Sequence, residues 1–507
     1  MKKRSLRRSI EIDLEELDQV IDRATRTPLA ESDARKLKTA LHAMAERLKP
    51  KRTTEKTSAV TPGNSPAQPL EREGCTSAGH GRHGAADFTH ANKVSVAHPT
   101  LASGDRCPDC GKGKVYLQKE PATLVRIVGQ APLAATVFEM ERLRCNACGQ
   151  IFQAPEPVTG HGEKYHMTAV AMMALLKYGT GMPFRRIERL QLQLGMPLPA
   201  ATQWELMETA AGLLRLVLEE LIRQGAQGTV LHNDDTAMRV LRLVRDTADK
   251  RNGVFTSGII SVAGGWKIAL FFTGVKHAGE NMAEVLKRRA RELPPPIQMC
   301  DALSRNTPKL EGIKVVLANC LAHGRRHFVE VVENFPEECR YVLETLRAVY
   351  HNDALTRQNK LSPAERLRFH QEQSGPPLES LQEWMQAQFS EHKTEPNSGL
   401  GRAISYMLNH WEKLTLFLRA AGAPLDNNVV ERALKMAILH RKNAFFYKTR
   451  NGASVGDLFM SLIHTCALNG VNPFEYLTEL LRNSAAARAH PAGWMPWNYR
   501  ASLPVAA

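Results

Sequence analysis

The sequence predicts a multidomain α+β protein, and three observations support this prediction. The chain has 507 residues, which is too long for a single compact core and fits roughly three domains. Four cysteines in two CxxC pairs lie before residue 150. Hydrophobic periodicity then changes from that of helices in 164–224 to that of strands from residue 228, and it returns to that of helices beyond residue 325.

Two segments without a predicted globular core come first. Apolar residues from Leu14 to Leu48 recur at helical spacing in a narrow stripe, so residues 1–48 are predicted to form a helical arm. Such an arm is either a coiled coil that pairs with another copy or a helix packed on its own chain. Residues 49–104 are rich in Thr, Ser, Pro, Gly, Ala and His, and this composition predicts a flexible linker.

The sequence predicts a cytoplasmic protein without a membrane span. The longest apolar run, Met167 to Leu176, has about half the length that a membrane span needs. The basic start Met1-Lys2-Lys3-Arg4 is not followed by an apolar stretch, so it is not predicted to be a secretory signal. The nine cysteines, an odd number with four in CxxC pairs, favour a reducing compartment over a disulfide framework.

Residues 105–155 are predicted to form a strand-rich module that binds zinc through cysteines. The cysteines occur in two CxxCG motifs, in which glycine lets the backbone turn so that amide N–H groups face the sulfurs. They are Cys107, Cys110, Cys145 and Cys148. Two such motifs make a four-cysteine zinc ribbon, and this zinc would be structural because four thiolates leave no open position for water. The alternative is four free thiols in a β-rich module. The other five cysteines have no partner at ligand spacing.

Residues 164–224 have helical periodicity that a turn interrupts. Gly195-Met196-Pro197 separates a basic helix, Phe184 to Leu194, from a longer helix, Ala200 to Arg223. This outline is typical of a helix-turn-helix DNA reader, although a simple helical hairpin also has it. The residues predicted to reach DNA phosphates are Arg185, Arg186 and Arg189.

Residues 228–449 are predicted to form an RNase H-like α/β core. Three strand-like runs, the last two joined by Gly264-Gly265, are followed by a helical stretch and two further strand-like runs. This is the order of elements in an RNase H-like core. An all-helical pattern follows and predicts a helical insertion at about 330–420, and residues 450–507 are predicted to form a C-terminal helical element.

Three acidic residues lie where such a core would bring them together. Asp234, next to Asp235, follows the first core strand, Asp301 follows the fourth, and Glu431 lies on a late helix. Carboxylates bind Mg²⁺ or Mn²⁺, and two ions about 3.5–4 Å apart can activate an attacking oxygen and stabilise a leaving one. Each acid alone also fits a turn, a helix cap or an ion pair with Lys435. Together, in this strand order, they predict phosphoryl transfer.

Basic residues accompany the acids. The formal charge of +15 and the pI of about 9.4 favour a polyanionic partner, with nucleic acid the first candidate and an anionic membrane surface the second. Cations beside a carboxylate site would position a DNA backbone without reading its sequence. For each one, a solvated helix face is the alternative. The predicted DNA-binding residues of this group are His323, Arg325, Arg326, Arg432, Arg441 and Lys442.

Several unusual strings occur together in the chain. They are Asp234-Asp-Thr236, Cys320-Leu-Ala-His-Gly-Arg-Arg-His-Phe328, Asp426-Asn-Asn-Val-Val-Glu-Arg432, Arg441-Lys-Asn-Ala-Phe-Phe446, Asn469-Gly-Val-Asn-Pro-Phe474 and Trp494-Met-Pro-Trp497. With them, the sequence resembles the insertion sequence 66 family of bacterial transposases. The resemblance covers nearly the whole chain and is weakest in residues 49–104.

The resemblance implies a DDE catalytic domain, in which a helical insertion separates the second acid from the third. It assigns the three acids to Asp234, Asp301 and Glu431. The family's first motif usually reads Asp-Glu-Thr, and the Asp-Asp-Thr found here leaves Asp235 as an alternative first ligand. The second acid usually precedes Gly-Tyr, whereas here it precedes Ala302, which indicates a subgroup. Neither difference removes a carboxylate, so we expect an active enzyme.

The predicted function is DNA transposition, by metal-dependent strand cleavage and strand transfer. The zinc ribbon and helix-turn-helix segment would bind the terminal inverted repeats of an insertion sequence, and the arm would pair two copies. Water and then the freed 3′-OH would attack phosphodiesters in line. Accessory proteins from the same element and association with the nucleoid are further expectations. The alternatives are a domesticated DNA-binding regulator without cleavage activity and an RNase H-like nuclease.

Overall fold

The computed structural model describes most of the chain from residue 93 onward. The described ranges are 93–119, 122–127, 129–157, 162–243, 251, 253–309 and 314–503, with Asp33, Leu37, Thr57 and 85–87 before them. The predicted helical arm (1–48) and most of the predicted linker (49–104) lie outside the described residues. None of the helices in the described part of the chain is long and apolar enough to cross a bilayer.

The cysteine-containing segment has little regular structure. Two three-residue strands, β1 (Arg142–Arg144) and β2 (Ile151–Gln153), pair antiparallel with Leu143 opposite Phe152. Both strands are exposed, and Leu133 is the one buried hydrophobic residue among the described residues of 105–155. A segment this poor in buried apolar surface needs another source of folding free energy, such as a bound metal.

A five-stranded mixed sheet lies at the centre of the protein. In spatial order its strands are β6 (Trp266–Gly274), β5 (Phe255–Ala263), β3 (Val230–Ala237), β7 (Ile297–Cys300) and β8 (Val316–Asn319). β5 is antiparallel to both of its neighbours, β6 and β3, whereas β3, β7 and β8 are parallel. Gly264 and Gly265 form the β5–β6 turn, with φ angles of +57° and +87° that suit a two-residue hairpin. The mixed α+β architecture predicted from the sequence is confirmed.

In the described residues from 162 to the start of β7, the chain forms four α-helices. They are α1 (Met167–Ala174), which continues as a π-helix over Leu175–Gly179, α2 (Phe184–Gln193), α3 (Ala200–Gly225) and α4 (Ala278–Leu286). Leu214 and Leu221 of α3 are fully buried in one core with Ile259 of β5 and Ile268 of β6. The second helix of the predicted helix-turn-helix therefore packs directly on the sheet.

The stretch between β8 and residue 420 is helical and has an apolar core of its own. Its helices are α5 (Leu321–Val331), α6 (Pro336–Gln358), α7 (Pro363–Gln373), α8 (Gly375–Ser390), α9 (Gly399–Asn409) and α10 (Trp411–Leu414). Phe328, Leu346, Leu381 and Ile404 are fully buried among them. These helices occupy the stretch where the helical insertion was predicted.

The last described segment returns to the central sheet. It contains α11 (Asn428–Ala444), β9 (Tyr447–Thr449), α12 (Arg450–Leu468), α13 (Pro473–Arg482) and α14 (Ser484–Ala489), and β9 pairs in parallel with β4 (Val240–Arg242). Phe459, Tyr476 and Trp494 are buried in the same core as the sheet. The C-terminal helices are thus an integral layer of the central domain.

Polar side chains of α12 cover the free edge of β6. They recur every four residues and accept hydrogen bonds from alternate backbone N–H groups of the strand. The pairs, helix side first, are Asp457 with Thr273 (2.7 Å), Ser461 with Phe271 (3.0 Å), Thr465 with Ala269 (3.0 Å) and the C-cap Asn469 with Lys267 (3.0 Å). An edge strand satisfied in this way cannot pair with another chain.

Candidate active site

The first two predicted acids meet at one end of the sheet. The β3–β7 register pairs His232 with Met299, and Asp234 and Asp301 are each two residues further along. Since β3 and β7 are adjacent and parallel, their side chains reach the same level. Asn306, in a single turn of 3₁₀-helix over Ser304–Asn306, donates through Nδ2 to Oδ1 of Asp301 and, at 3.4 Å, to Oδ1 of Asp234. One amide group therefore contacts both carboxylates.

A buried amide network holds Asn306 in place. Its backbone oxygen accepts from Asn233 Nδ2 at 2.8 Å and from Gln298 Nε2 at 2.7 Å, and Gln298 Nε2 also lies 2.8 Å from Asn233 Oδ1. The three amide residues are at most 1% exposed. Because Asn233 and Gln298 lie on β3 and β7, the network links Asn306 rigidly to both strands that carry Asp234 and Asp301.

The third acid reaches the cluster because α11 packs closely on the sheet. Glu431 lies in the first turn of α11. Gly258 of β5 pairs with Asp234, and a Cβ atom on this glycine would lie 3.0 Å from the Leu434 side chain and 3.2 Å from that of Val430. Glycine at this position therefore permits the close approach of the helix that carries Glu431.

Asn427, the N-cap of α11, fixes the start of that helix. Its Nδ2 donates to the Asn233 backbone oxygen at 3.0 Å, and its Oδ1 accepts from the His232 ring at 3.1 Å. Its backbone N–H donates to the Cys320 sulfur at 3.2 Å. Asn427 is fully buried, so these contacts place Glu431 relative to β3 and the start of α5.

Burial and the neighbouring acids raise the pKa of Asp234. Its pKa is raised to about 7, first by burial and then by the negative charges of Asp301, Asp235 and Glu431. Glu431 Oε1 is also buried and has no hydrogen-bond partner among the described residues. A group of like charges with an unsatisfied carboxylate oxygen is stabilised by a cation. The carboxylate donors fit a hard divalent ion such as Mg²⁺ or Mn²⁺.

The side chain of Asp235 contacts different residues from those that Asp234 and Asp301 contact. Its Oδ2 is 2.8 Å from His277 Nδ1 and accepts from the Ala278 backbone N–H at 3.4 Å, at the start of α4. Arg305 lies 3.8 Å from its other oxygen. Successive residues of a strand point to opposite faces, so Asp235 faces α4 when Asp234 faces Asn306. This arrangement favours Asp234 over Asp235 as the first ligand.

A known protein family covers the stretch of the chain that contains these residues. A family model described as "Transposase IS66 family" matches residues 164–455, more than half of the chain, and this stretch contains the three acids. The chain belongs to the IS66 transposase family. This family is the insertion sequence 66 family that the sequence motifs resemble, so that prediction is confirmed and a transposase role follows.

Similar proteins occur in Sinorhizobium fredii. One, named uncharacterized protein y4hP, is 24% identical over 438 residues, which cover 82% of this chain and 76% of that protein. A second, uncharacterized protein y4jD, is 30% identical over 203 residues, or 39% of each chain. A third, uncharacterized protein y4qI, is 28% identical over 191 residues, 37% of this chain and 34% of that protein. The similarity to y4hP extends well beyond the matched family domain.

The predicted DNA-binding residues of the transposase occupy two regions. Around the acids, His323, Arg325 and Arg326 lie half-buried on α5, and His323 Nδ1 is 3.9 Å from Glu431 Oε1. Arg432 and Lys442 of α11 are exposed, whereas Arg441 donates to the Thr236 hydroxyl at 3.1 Å and to the Ala237 backbone oxygen. Arg441 therefore ties α11 to the end of β3. Arg185, Arg186 and Arg189 are exposed on α2, and no contact among the described residues joins them to the acids.

The predicted zinc ligands form two separate turns. Gly111 and Gly149 have φ angles of +65° and +75°, and each donates its N–H to the backbone oxygen of the first cysteine of its motif. Hydrogen bonds from backbone N–H groups lower the pKa values of Cys110 and Cys145. Each turn thus has the chemistry of a zinc knuckle. No three of the four sulfurs lie within 4.8 Å of one another in the described chain.

Sequence reasoning missed three residues of the transposase site. Asn306 and Asn427 act through contacts between distant segments, which no sequence spacing encodes. Cys320 has no other cysteine at ligand spacing in the sequence, yet its sulfur lies within 4.8 Å of ligand atoms of His323 and Glu431. The Cys-x-x-His spacing of Cys320 and His323 was the signal that could have identified it.

Proposed function

We propose that this protein is a DDE transposase that cleaves the ends of its insertion sequence and joins them to target DNA. The observation that carries the proposal is the convergence of Asp234, Asp301 and Glu431 at the ends of β3 and β7 and the start of α11. The strand order and the helices between the second and third acids support an RNase H-like core with a helical insertion.

The residues of the cluster have distinct tasks in this reaction. Asp234, Asp301 and Glu431 would hold Mg²⁺ or Mn²⁺, which supplies Lewis-acid stabilisation of the attacking and leaving oxygens. Asn306 keeps Asp234 and Asp301 at a fixed separation. Exposed Arg432 and Lys442 of α11 would bind phosphates that flank the scissile bond, without reading bases.

The other proposed parts of the protein serve DNA recognition. The exposed arginines of α2 and the cysteine module, closed by one structural Zn²⁺, are proposed to bind the terminal inverted repeats. Two copies, paired through the arm, would hold both ends, with accessory proteins of the same element as further partners. A cytoplasmic, nucleoid-associated protein fits the net charge of +15.

The test is cleavage and joining of a labelled duplex that carries the element's own end, with Mg²⁺ or Mn²⁺. Wild type is compared with Asp301→Asn and with Glu330→Gln, which removes an exposed acid of neighbouring α5. Metal-dependent cleavage and joining that Asp301→Asn abolishes and Glu330→Gln keeps would support the proposal. Specific binding without cleavage would indicate a regulator, cleavage without joining a nuclease, and equal activity of all three proteins a different catalytic site.

A further inference from the structure

Cys320, His323 and Glu431 place three kinds of metal ligand beside the acidic cluster. One sulfur, one ring nitrogen and one carboxylate oxygen all lie within 4.8 Å of one another, with 3.9 Å between His323 Nδ1 and Glu431 Oε1. No other group of three histidine, cysteine or acidic side chains meets this distance in the described part of the chain. Cys320 is the N-cap of α5 and His323 lies in its first turn, so one helix start supplies two of the ligands.

Two of these ligand atoms have no other partner. His323 Nδ1 and Glu431 Oε1 are both buried and form no hydrogen bond with any described residue. Buried polar atoms are nearly always satisfied, because leaving one unsatisfied costs about 1–3 kcal/mol. A cation between the ring nitrogen and the carboxylate oxygen would satisfy both atoms at once.

The separation of the nitrogen and oxygen ligand atoms is close to that around a tetrahedral ion. Bond lengths of about 2.3 Å to sulfur and about 2.1 Å to nitrogen and oxygen give ligand separations of roughly 3.4–3.6 Å. The observed nitrogen–oxygen distance of 3.9 Å exceeds this range by only a few tenths of an ångström. The side chains of His323 and Glu431 are about a quarter and a third exposed, so neither is locked on all sides by packing.

We propose that Cys320, His323 and Glu431 form a second metal site, which binds a zinc-class transition-metal ion. Thiolate and imidazole select such ions over Mg²⁺, which prefers oxygen ligands. On binding, the Cys320 thiol releases its proton to solvent and the sulfur bonds to the ion. Three protein ligands leave one position of the tetrahedron open, and a water molecule would fill it.

Occupancy of this second site regulates the reaction, a consequence that rests on the proposed function. Glu431 belongs to both sites, so a zinc-class ion bound through its carboxylate withdraws it from Asp234 and Asp301. Zinc then inhibits strand cleavage, and removing the Cys320 ligand weakens this inhibition.

Metal content tests the site without reference to cleavage. Wild type, Cys320→Ser, His323→Ala and the control Cys339→Ser are equilibrated with Zn²⁺, freed of excess by dialysis, and analysed for zinc per chain. Cys339 is also fully buried but lies in the helical insertion. We expect one zinc fewer in Cys320→Ser and His323→Ala, and no change in Cys339→Ser. If Cys320→Ser fails to fold, His323→Ala gives the answer. Equal zinc in wild type and the folded ligand variants would overturn the site.

Inhibition is then measured relative to the zinc-free cleavage rate of each protein. The zinc concentration for half-inhibition is expected to rise by about tenfold or more in Cys320→Ser and to stay unchanged in Cys339→Ser. Equal half-inhibition in all proteins would refute the regulatory role. If no protein cleaves DNA, the proposed function fails. The measured zinc content per chain still decides whether the second metal site exists.

Discussion

Asn306 lies between two carboxylates that repel each other. In Asn306→Ala, Asp234 and Asp301 lose their shared donor, so their separation becomes less defined and the metal ions less tightly held. Loss of a residue that orients metal ligands typically costs about 10–100-fold in affinity or activity. We expect a loss in this range for Mn²⁺ binding measured by calorimetry, and a shift of the Mg²⁺ activation curve for cleavage to higher concentration.

Asn334→Ala is the matched control for this substitution, because Asn334 is exposed at the end of α5. It should leave both the Mn²⁺ affinity and the Mg²⁺ activation curve unchanged. A variant at Asn306 that lowers the melting temperature but keeps the wild-type metal affinity would show that Asn306 only stabilises the fold.

Arg432 follows Glu431 on α11 and is exposed. If it binds one DNA phosphate, Arg432→Gln removes one such contact and weakens binding to all sequences alike. The plot of log affinity against log salt should lose about one unit of slope. Fluorescence anisotropy at several salt concentrations measures this slope. Arg291→Gln, on an exposed surface outside the site, should keep the wild-type slope, and an unchanged slope in Arg432→Gln would remove this residue from the interface.

At the residue scale, the sequence supplied the acids but not the groups that hold them. Asp301 follows β7 and Glu431 begins a helix, as hydrophobic periodicity indicates. Asp234 was expected to follow the first core strand, but β3 continues through it to Ala237 because its polar last half still pairs with β5. Asn306 contacts both Asp234 and Asp301 because the chain turns back after β7, and no periodic pattern reports this turn. Which of two neighbouring aspartates faces the cluster likewise depended on the direction of each side chain from β3.

The polar side chains that α12 places along the edge of β6 form a polar ladder, made of Asp457, Ser461, Thr465 and the C-cap Asn469. Their hydrogen bonds to β6 take the place of those that a neighbouring strand would make. In Ser461→Ala the Phe271 N–H loses its acceptor while remaining buried, and no water can readily reach it. We expect a loss of about 1–2 kcal/mol in the free energy of unfolding, measured by urea denaturation. Ser390→Ala, at the exposed end of α8, should change it by less than about 0.5 kcal/mol. A neutral Ser461→Ala would mean that the edge N–H finds another acceptor.

Asp457 gives this ladder a dependence on pH. Burial raises its pKa to about 7, against about 4 in an unfolded chain. The folded protein therefore retains this proton longer than the unfolded chain, and the stability that the group contributes is lost as pH rises from about 4 to about 7. Asp457→Asn does not titrate and keeps partners for Thr273. Its melting temperature minus that of wild type should rise between pH 4 and pH 7.5, whereas the exposed Glu292→Gln should show no such trend.

At the element scale, the strands, the β5–β6 hairpin and the two helices around Gly195 follow from local patterns. Their packing does not. The sequence predicts α3 as part of a separate helix-turn-helix, yet Leu214 and Leu221 lie in the core of the sheet. The spacing of Asp457, Ser461, Thr465 and Asn469 marks one polar face of α12, but only the sheet reveals that this face binds strand backbone.

On the scale of the whole molecule, two parts of the protein depend on different sources of stability. The acids and the basic residues around them lie on a well-buried core, whereas the cysteine module has little buried apolar surface. Helices that precede the sheet in the sequence and helices that follow it both pack on the sheet. The helices of 321–420 bury a second core. Among the described residues of the cysteine module, Leu133 alone is buried in the main core. Catalysis and DNA-end recognition should therefore be separable by a change that affects one source of stability alone.

Cys145→Ser is such a change, because it removes one thiolate from the predicted four-cysteine zinc site. We expect one zinc fewer per chain and weaker binding to the element's end. The main thermal transition should stay unchanged, since the sheet and helical insertion share almost no buried surface with this module. Zinc analysis, anisotropy with the end duplex, and calorimetry measure these three effects. Unchanged zinc content would show that the two CxxCG turns do not share an ion. A lowered main transition would instead show that the module stabilises the catalytic domain, so that recognition and catalysis share one folding unit.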